Sequence, residues 1–84
     1  MPRVYIDNLS DAVTRDDLDA HFSSVGPVRG VLVVTDRSTG KSRGFGFVDM
    51  AKFEDAVHAI KSLNDTELKG KRIRIDRLPP REES

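Results

Sequence analysis

Residues 43–50, Arg-Gly-Phe-Gly-Phe-Val-Asp-Met, constrain this chain more than any other stretch. Read as a strand, the segment sends successive side chains to opposite faces, so Phe45, Phe47 and Asp49 share one side and Gly46, Val48 and Met50 the other. An unpaired carboxylate is costly to bury, whereas Val48 and Met50 bury without penalty. The parity therefore turns Val48 and Met50 toward a core and leaves Phe45 and Phe47 on an open face beside Asp49. Two phenylalanines held out on a sheet surface require a partner or a lid.

The rest of the chain supplies three more strands and two helices. Val4-Tyr5-Ile6 is a run of strand formers that ends at the turn signal Asp7-Asn8, with Val4 and Ile6 on one face and Tyr5 and Asp7 on the other. Thr14 is placed to cap a helix, with Asp17 three residues on as in a capping box and Val13 and Leu18 spaced for a hydrophobic staple. Leu18, Phe22 and Val25 continue as one apolar stripe until Gly26-Pro27. Residues 28–35 form a third extended segment, apolar on both faces at Val31-Leu32-Val33-Val34, so periodicity does not choose its buried side. A polar loop from Asp36 to Ser42 bends at Gly40.

Phe53, Ala56, Val57, Ile60 and Leu63 recur at helical spacing. This second helix is poorly capped at Ala51-Lys52 and is expected to close at Asn64 in a left-handed conformation. Lys69-Gly70-Lys71 turns into the alternation Arg72-Ile73-Arg74-Ile75-Asp76, with the isoleucines inward. Residues 1–78 are expected to form one domain, and residues 79–84 a short disordered tail. The order strand-helix-strand-strand-helix-strand is the split βαβ arrangement. It predicts an α+β, ferredoxin-like sandwich: two helices on one face of a four-stranded antiparallel sheet, the other face uncovered.

The central stretch resembles the octamer signature of the RNA recognition motif (RRM) family, Lys/Arg-Gly-Phe/Tyr-Gly/Ala-Phe-Val-x-Phe/Tyr, at seven of its eight positions. Met50 replaces the final aromatic at an inward position, where it serves as a core filler. Val4-Tyr5-Ile6-Asp7-Asn8-Leu9 resembles the family's hexamer, apolar-aromatic-apolar-x-Asn-Leu. The resemblance covers residues 3–77 and implies that these two strands lie side by side in the middle of the sheet. Val31 and Val33 would then face inward, with Leu32 and Val34 on the open side. Tyr5, Phe45 and Phe47 would form one aromatic patch, with Arg43, Arg72 and Arg74 around it.

The function so implied is binding of single-stranded RNA, and more weakly of single-stranded DNA. Tyr5 and Phe45 would each stack a base, Phe47 would touch sugars, and Arg43, Lys41 and Arg37 would pair phosphates. Asp7 and Asn8 complete the expected site. Asp7 and Asp49 share the binding face, where they either accept from a base edge or pair with Arg72 and Arg74. The plan resembles short single-RRM proteins of the bacterial type; Met1 and the short tail suggest a complete protein, expected to be a monomer, and a domain from a longer eukaryotic protein would look much the same. It would be intracellular: cytoplasmic if bacterial, nuclear or cytoplasmic if eukaryotic.

Formal net charge is zero, which speaks mildly against a nucleic-acid binder until its distribution is considered. Aspartates dominate residues 1–36 and acidic residues dominate 44–68. Arg37, Lys41 and Arg43 cluster in the loop before the central strand, and Lys69, Lys71, Arg72, Arg74, Arg77 and Arg81 cluster near the C-terminal end. An 84-residue chain buries roughly three-fifths of its unfolded surface, enough for a modest core. The absence of cysteine excludes disulfides, thiolate metal sites and sulfur nucleophiles. No apolar run reaches the length of a membrane span or a signal peptide.

Catalysis is not expected. Gly40-Lys41-Ser42 lacks the earlier glycine of a phosphate-binding loop, since Thr35 stands there, and Gly44-x-Gly46 lacks the third glycine of a dinucleotide fingerprint, since Asp49 stands there. Neither His21 nor His58 has a second ligand at metal spacing, and no cofactor is expected. The competing reading is a protein-interaction module on the same fold, docking a partner chain through Leu32, Val34 and the aromatic face.

Overall fold

The computed structural model describes residues 2–77; the tail expected at 79–84 lies outside them. The elements are β1 (Arg3–Asp7), α1 (Arg15–Ser23), β2 (Val28–Thr35), β3 (Ser42–Met50), α2 (Phe53–Leu63), β4 (Glu67–Leu68), β5 (Lys71–Arg72) and β6 (Arg74–Asp76). β2, β3, β1 and β6 form an antiparallel sheet in that order, with the hexamer and octamer strands adjacent at its centre. This is the expected ferredoxin-like α+β architecture.

Between sheet and helices lies a core of Val4, Ile6, Leu9, Val13, Leu18, Phe22, Val48, Met50, Ala56, Ala59, Ile73 and Ile75. Val48 and Met50 are fully enclosed, as the carboxylate parity of β3 requires, and Met50 fills the place of the missing aromatic. Helix α1 begins with the expected reciprocal cap: Asp17 N–H donates to Thr14 Oγ1 at 3.2 Å, and Thr14 N–H to Asp17 Oδ2 at 2.9 Å. That second bond holds the Asp17 carboxyl below the usual range. Val13 and Leu18, either side of the cap, are both buried in the core.

Pairing of Val31 with Val48 and of Val33 with Gly46 turns both valines to the core, as the family resemblance implies, and a bulge before them adds Val28. Val28 pairs with Met50, yet Gly30 pairs with Asp49, so one extra residue reverses the alternation. Val28, Val31 and Val33 can therefore all pack on the core, which a regular strand would forbid. Leu32 is left out on the open face, directly across from Phe47 and about half exposed.

Three expectations need correction. The alternation at 72–76 is not one strand. Lys71–Arg72 pairs with Glu67–Leu68 in a separate hairpin, and only Arg74–Asp76 join the main sheet. The break falls at Ile73, whose N–H donates to Thr66 O and whose carbonyl accepts from Asp65 N–H, at 2.9 and 2.8 Å. Its backbone is thus committed to the segment after α2 instead of a sheet neighbour. Lys69 and Gly70 close the hairpin with φ of 54° and 88°, the positive pair of a type I′ turn.

The left-handed residue after α2 is Asp65 (φ 64°), not Asn64, which is extended. Asn64 Oδ1 accepts the Ile75 N–H at 2.8 Å, so its side chain ties the helix end to β6. Finally, Phe53 lies on the first turn of α2 but is 58% exposed, outside the core stripe, with the Arg77 guanidinium 5.8 Å from its ring centre. Ala59 is buried in that stripe instead. No described helix is long and apolar enough to cross a membrane.

Candidate nucleic-acid interface

The sheet face away from the helices carries the aromatic cluster. Antiparallel pairing sets Tyr5 across from Phe47 and Asp7 across from Phe45. The ring of Tyr5 lies 5.5 Å from Phe47 and 5.8 Å from Phe45, and the two phenylalanines are 6.5 Å apart and nearly perpendicular. These separations are those of favourable tilted and edge-to-face pairs, so each ring braces the others. Phe45 and Phe47 are half-buried, whereas Tyr5 keeps only 9% of its surface. Loss of water and the Asp7 carboxylate push the Tyr5 phenol up, keeping it neutral.

Among the described residues, the two carboxylates on this face pair with neither Arg72 nor Arg74, one of the two alternatives expected for them. Asp49 accepts from Arg3, with Nε to Oδ1 at 2.6 Å and Nη2 to Oδ2 at 3.1 Å. This two-point contact holds the Asp49 carboxyl below the usual range. The same guanidinium lies over the Phe47 ring, 5.5 Å from its centre. Asp7 Oδ1 accepts from the Asn8 N–H at 2.8 Å. Arg74 stands across β1–β6 from Asp7, but its guanidinium pairs with Asp65 at 3.6 Å, an exposed contact worth little.

Asn8 has a scaffolding task. It adopts φ 60° and its side-chain Nδ2 donates to the Arg72 carbonyl at 2.6 Å, tying the end of β1 to the small hairpin. Arg72 accordingly lies in that hairpin, outside the four-stranded sheet. Arg37 and Lys41 occupy the exposed β2–β3 loop. Asp36 holds this loop, accepting from Ser38 and Thr39 N–H at 2.8 and 3.1 Å, and those bonds keep its carboxyl below the usual range. Arg43, exposed, follows directly at the start of β3. The face thus gathers Tyr5, Asp7, Phe45, Phe47 and Arg74 on paired strands, with Arg37, Lys41 and Arg43 at the loop end.

Arg3 is the residue that sequence reasoning overlooked. Alternation along β1 already assigns it to the side of Tyr5 and Asp7; its partner, Asp49, follows only from the register of β1 against β3. Elsewhere, His21 Nε2 lies 3.0 Å from Thr66 Oγ1. The Thr66 hydroxyl donates to Leu63 O at 2.6 Å, so the imidazole is the donor and joins α1 to the segment after α2. Among the described residues no three His, Cys, Asp or Glu side chains are grouped to hold a metal.

Residues 4–74 match the model of the family described as RNA recognition motif. RbpA of Nostoc sp. strain PCC 7120 is 41% identical over 80 residues, which span 95% of this chain and 78% of that protein. Glycine-rich RNA-binding protein 1 of Mycosarcoma maydis is 47% identical over 74 residues, covering 88% of this chain but 42% of its own length. Among solved structures, RNA binding protein PG1 superposes with a TM-score of 0.88 at 38% identity, over 99% of this chain and all of that one. A complex of the Sxl-lethal protein with RNA gives 0.88 at 31% identity, over 99% of this chain and 50% of that one.

Proposed function

The chain belongs to the RNA recognition motif family, and from that premise we propose that it binds single-stranded RNA by stacking bases on the uncovered sheet face. The observation that carries this reading is the Tyr5–Phe45–Phe47 cluster, three mutually braced rings on the side of the sheet that no helix covers. Every base has a π-face, so such a platform provides affinity with little demand on sequence, about 1–3 kcal/mol per base. Two such stacks contribute about 2–6 kcal/mol, less than the roughly 8 kcal/mol of a micromolar complex even before the cost of association, so phosphate contacts supply the remainder.

Phe45 and Phe47 have more open ring surface than Tyr5. In this reading Phe45 is the principal stacking ring, Tyr5 supports it from below and accepts a base at its remaining edge, and Phe47 meets sugars. Arg37, Lys41 and Arg43 track the phosphates at the loop end. They make binding salt-dependent although the chain as a whole is neutral. Asn8 contributes by fixing the end of β1. A module of this kind suits a post-transcriptional regulator or an accessory factor in RNA processing.

The test is binding of a degenerate single-stranded RNA pool at two salt concentrations, comparing the wild type with Phe45→Ala after circular dichroism of both. Salt-sensitive binding that weakens by a stacking-sized amount in the variant is expected. A folded wild type that binds no RNA would overturn the reading and make Leu32 and the aromatic face a docking surface for a partner chain.

A further inference from the structure

The Arg3–Asp49 pair has a geometry that a simple charge contact does not need. Asp49 takes the guanidinium side-on, through Nε and one N–H of Nη2. Two of the five guanidinium donors are thereby committed, and both Nη1 donors with the remaining Nη2 donor stay free. The carboxylate also fixes the plane of the group, and the Phe47 ring supports it from one side. Beside the pair, β2 presents Gly30, where a Cβ would come within 3.7 Å of Asp49 Oδ2; the glycine leaves that flank open. Leu32 forms an apolar wall next to Phe47. An RNA strand arriving at this end of the sheet meets an oriented fork of donors in an open notch.

Resting on the stacking reading above, we infer that Arg3 is a base reader that selects guanine at the Phe47 end of the platform. A phosphate is a poor occupant, because Asp49 cancels the charge of Arg3 at nearly the same distance. A neutral acceptor pair suffers no such cancellation. Guanine presents O6 and N7 as adjacent acceptors matched to the guanidinium fork. Adenine places an amino donor beside its N7 and uracil has no two adjacent acceptors, whereas cytosine offers such a pair, O2 with N3, only on its Watson–Crick edge. Asp49 is then a positioning residue, aiming Arg3 without touching the base.

The test uses short uridine oligonucleotides carrying one guanosine, one adenosine or one 7-deazaguanosine at each position in turn. Wild type is expected to prefer guanosine over the other two at one position by about 5- to 150-fold, the range a bidentate guanine contact provides. Arg3→Ala should lose the preference while still binding the all-uridine strand, and Arg3→Lys, which lacks the planar fork, and Asp49→Asn should reduce it. Retention of the full preference by Arg3→Ala would overturn the inference. So would a uniform loss in Arg3→Ala with a salt slope shallower by about 0.7, the signature of a phosphate contact. Phe45→Ala is the control for the parent reading. If it weakens binding by a stacking-sized amount while wild type shows no guanosine preference, only the present inference falls; if it leaves binding intact, the stacking platform falls and this subsite with it.

Discussion

Arg3 and Asp49 face each other across β1 and β3, and the guanidinium engages both carboxylate oxygens, at 2.6 and 3.1 Å. The contact lowers the carboxyl pKa, so its stabilising contribution is present above the ordinary aspartate range of about 4 and is lost as pH falls through the folded value. An NMR titration should find Asp49 ionising below that ordinary range in the wild type and moving back up toward it in Arg3→Ala. An unchanged midpoint in the variant would show that Arg3 does not hold the carboxylate in solution.

Tyr5 and Phe45 touch, yet they should fail differently when truncated. Tyr5 is nearly enclosed, so Tyr5→Ala opens a cavity and should cost about 3–5 kcal/mol of stability, as large aromatic truncations do. Phe45 retains more open surface, so Phe45→Ala should lose about 1–3 kcal/mol of RNA affinity with a smaller loss of stability. Chemical denaturation and fluorescence anisotropy on the same two variants separate the effects. Equal stability losses would mean that the two rings are equally structural.

Gly46 should not tolerate alanine, although the octamer pattern allows it. A Cβ at this position would run into the carbonyl of Leu32, a backbone atom of the paired strand that cannot rotate aside. Gly46→Ala should therefore destabilise the fold by about 1–3 kcal/mol through strain between β2 and β3. Urea unfolding measures this. A neutral substitution would mean that the two strands can separate locally at no cost.

His21 should make stability depend on pH in mildly acidic solution. Partial burial lowers its pKa, so below the unfolded value of about 6.5 the unfolded chain binds the proton more readily. The contribution is complete above that pH and is lost as pH falls through the folded value. The urea midpoint should drop over this interval in the wild type, and His21→Gln should flatten that part of the profile. A profile unchanged by the substitution would assign the pH dependence to other groups.

Much of the fold and the site can be read from local chemistry. A carboxylate at Asp49 orients the whole of β3, because one charged residue that resists burial fixes the parity of every neighbour. Thr14 and Asp17 start α1 through bonds confined to four residues. The strand-helix order and the outward parity of Tyr5, Phe45 and Phe47 rest on such short-range rules, whereas their meeting in one patch is implied by the family resemblance. Phe53 shows where they fail: helical spacing assigns it to the apolar stripe, but its place on the first turn leaves it outside the core.

What the tertiary structure alone decided concerns partners. Alternation assigns Arg3 to the open face, but only register gives it Asp49 and Phe47. Five alternating residues at 72–76 look like one strand until Thr66 and Asp65 claim the backbone of Ile73. Asn64 is a suitable left-handed closer of α2 until the Ile75 N–H takes its side chain and passes that conformation to Asp65. A bulge between Val28 and Gly30 lets Val28 join Val31 and Val33 on the core side for the same reason. Periodicity is a property of one segment and states which way a side chain points; hydrogen-bond partners and cross-strand neighbours belong to two segments, and only their packing settles which residues meet.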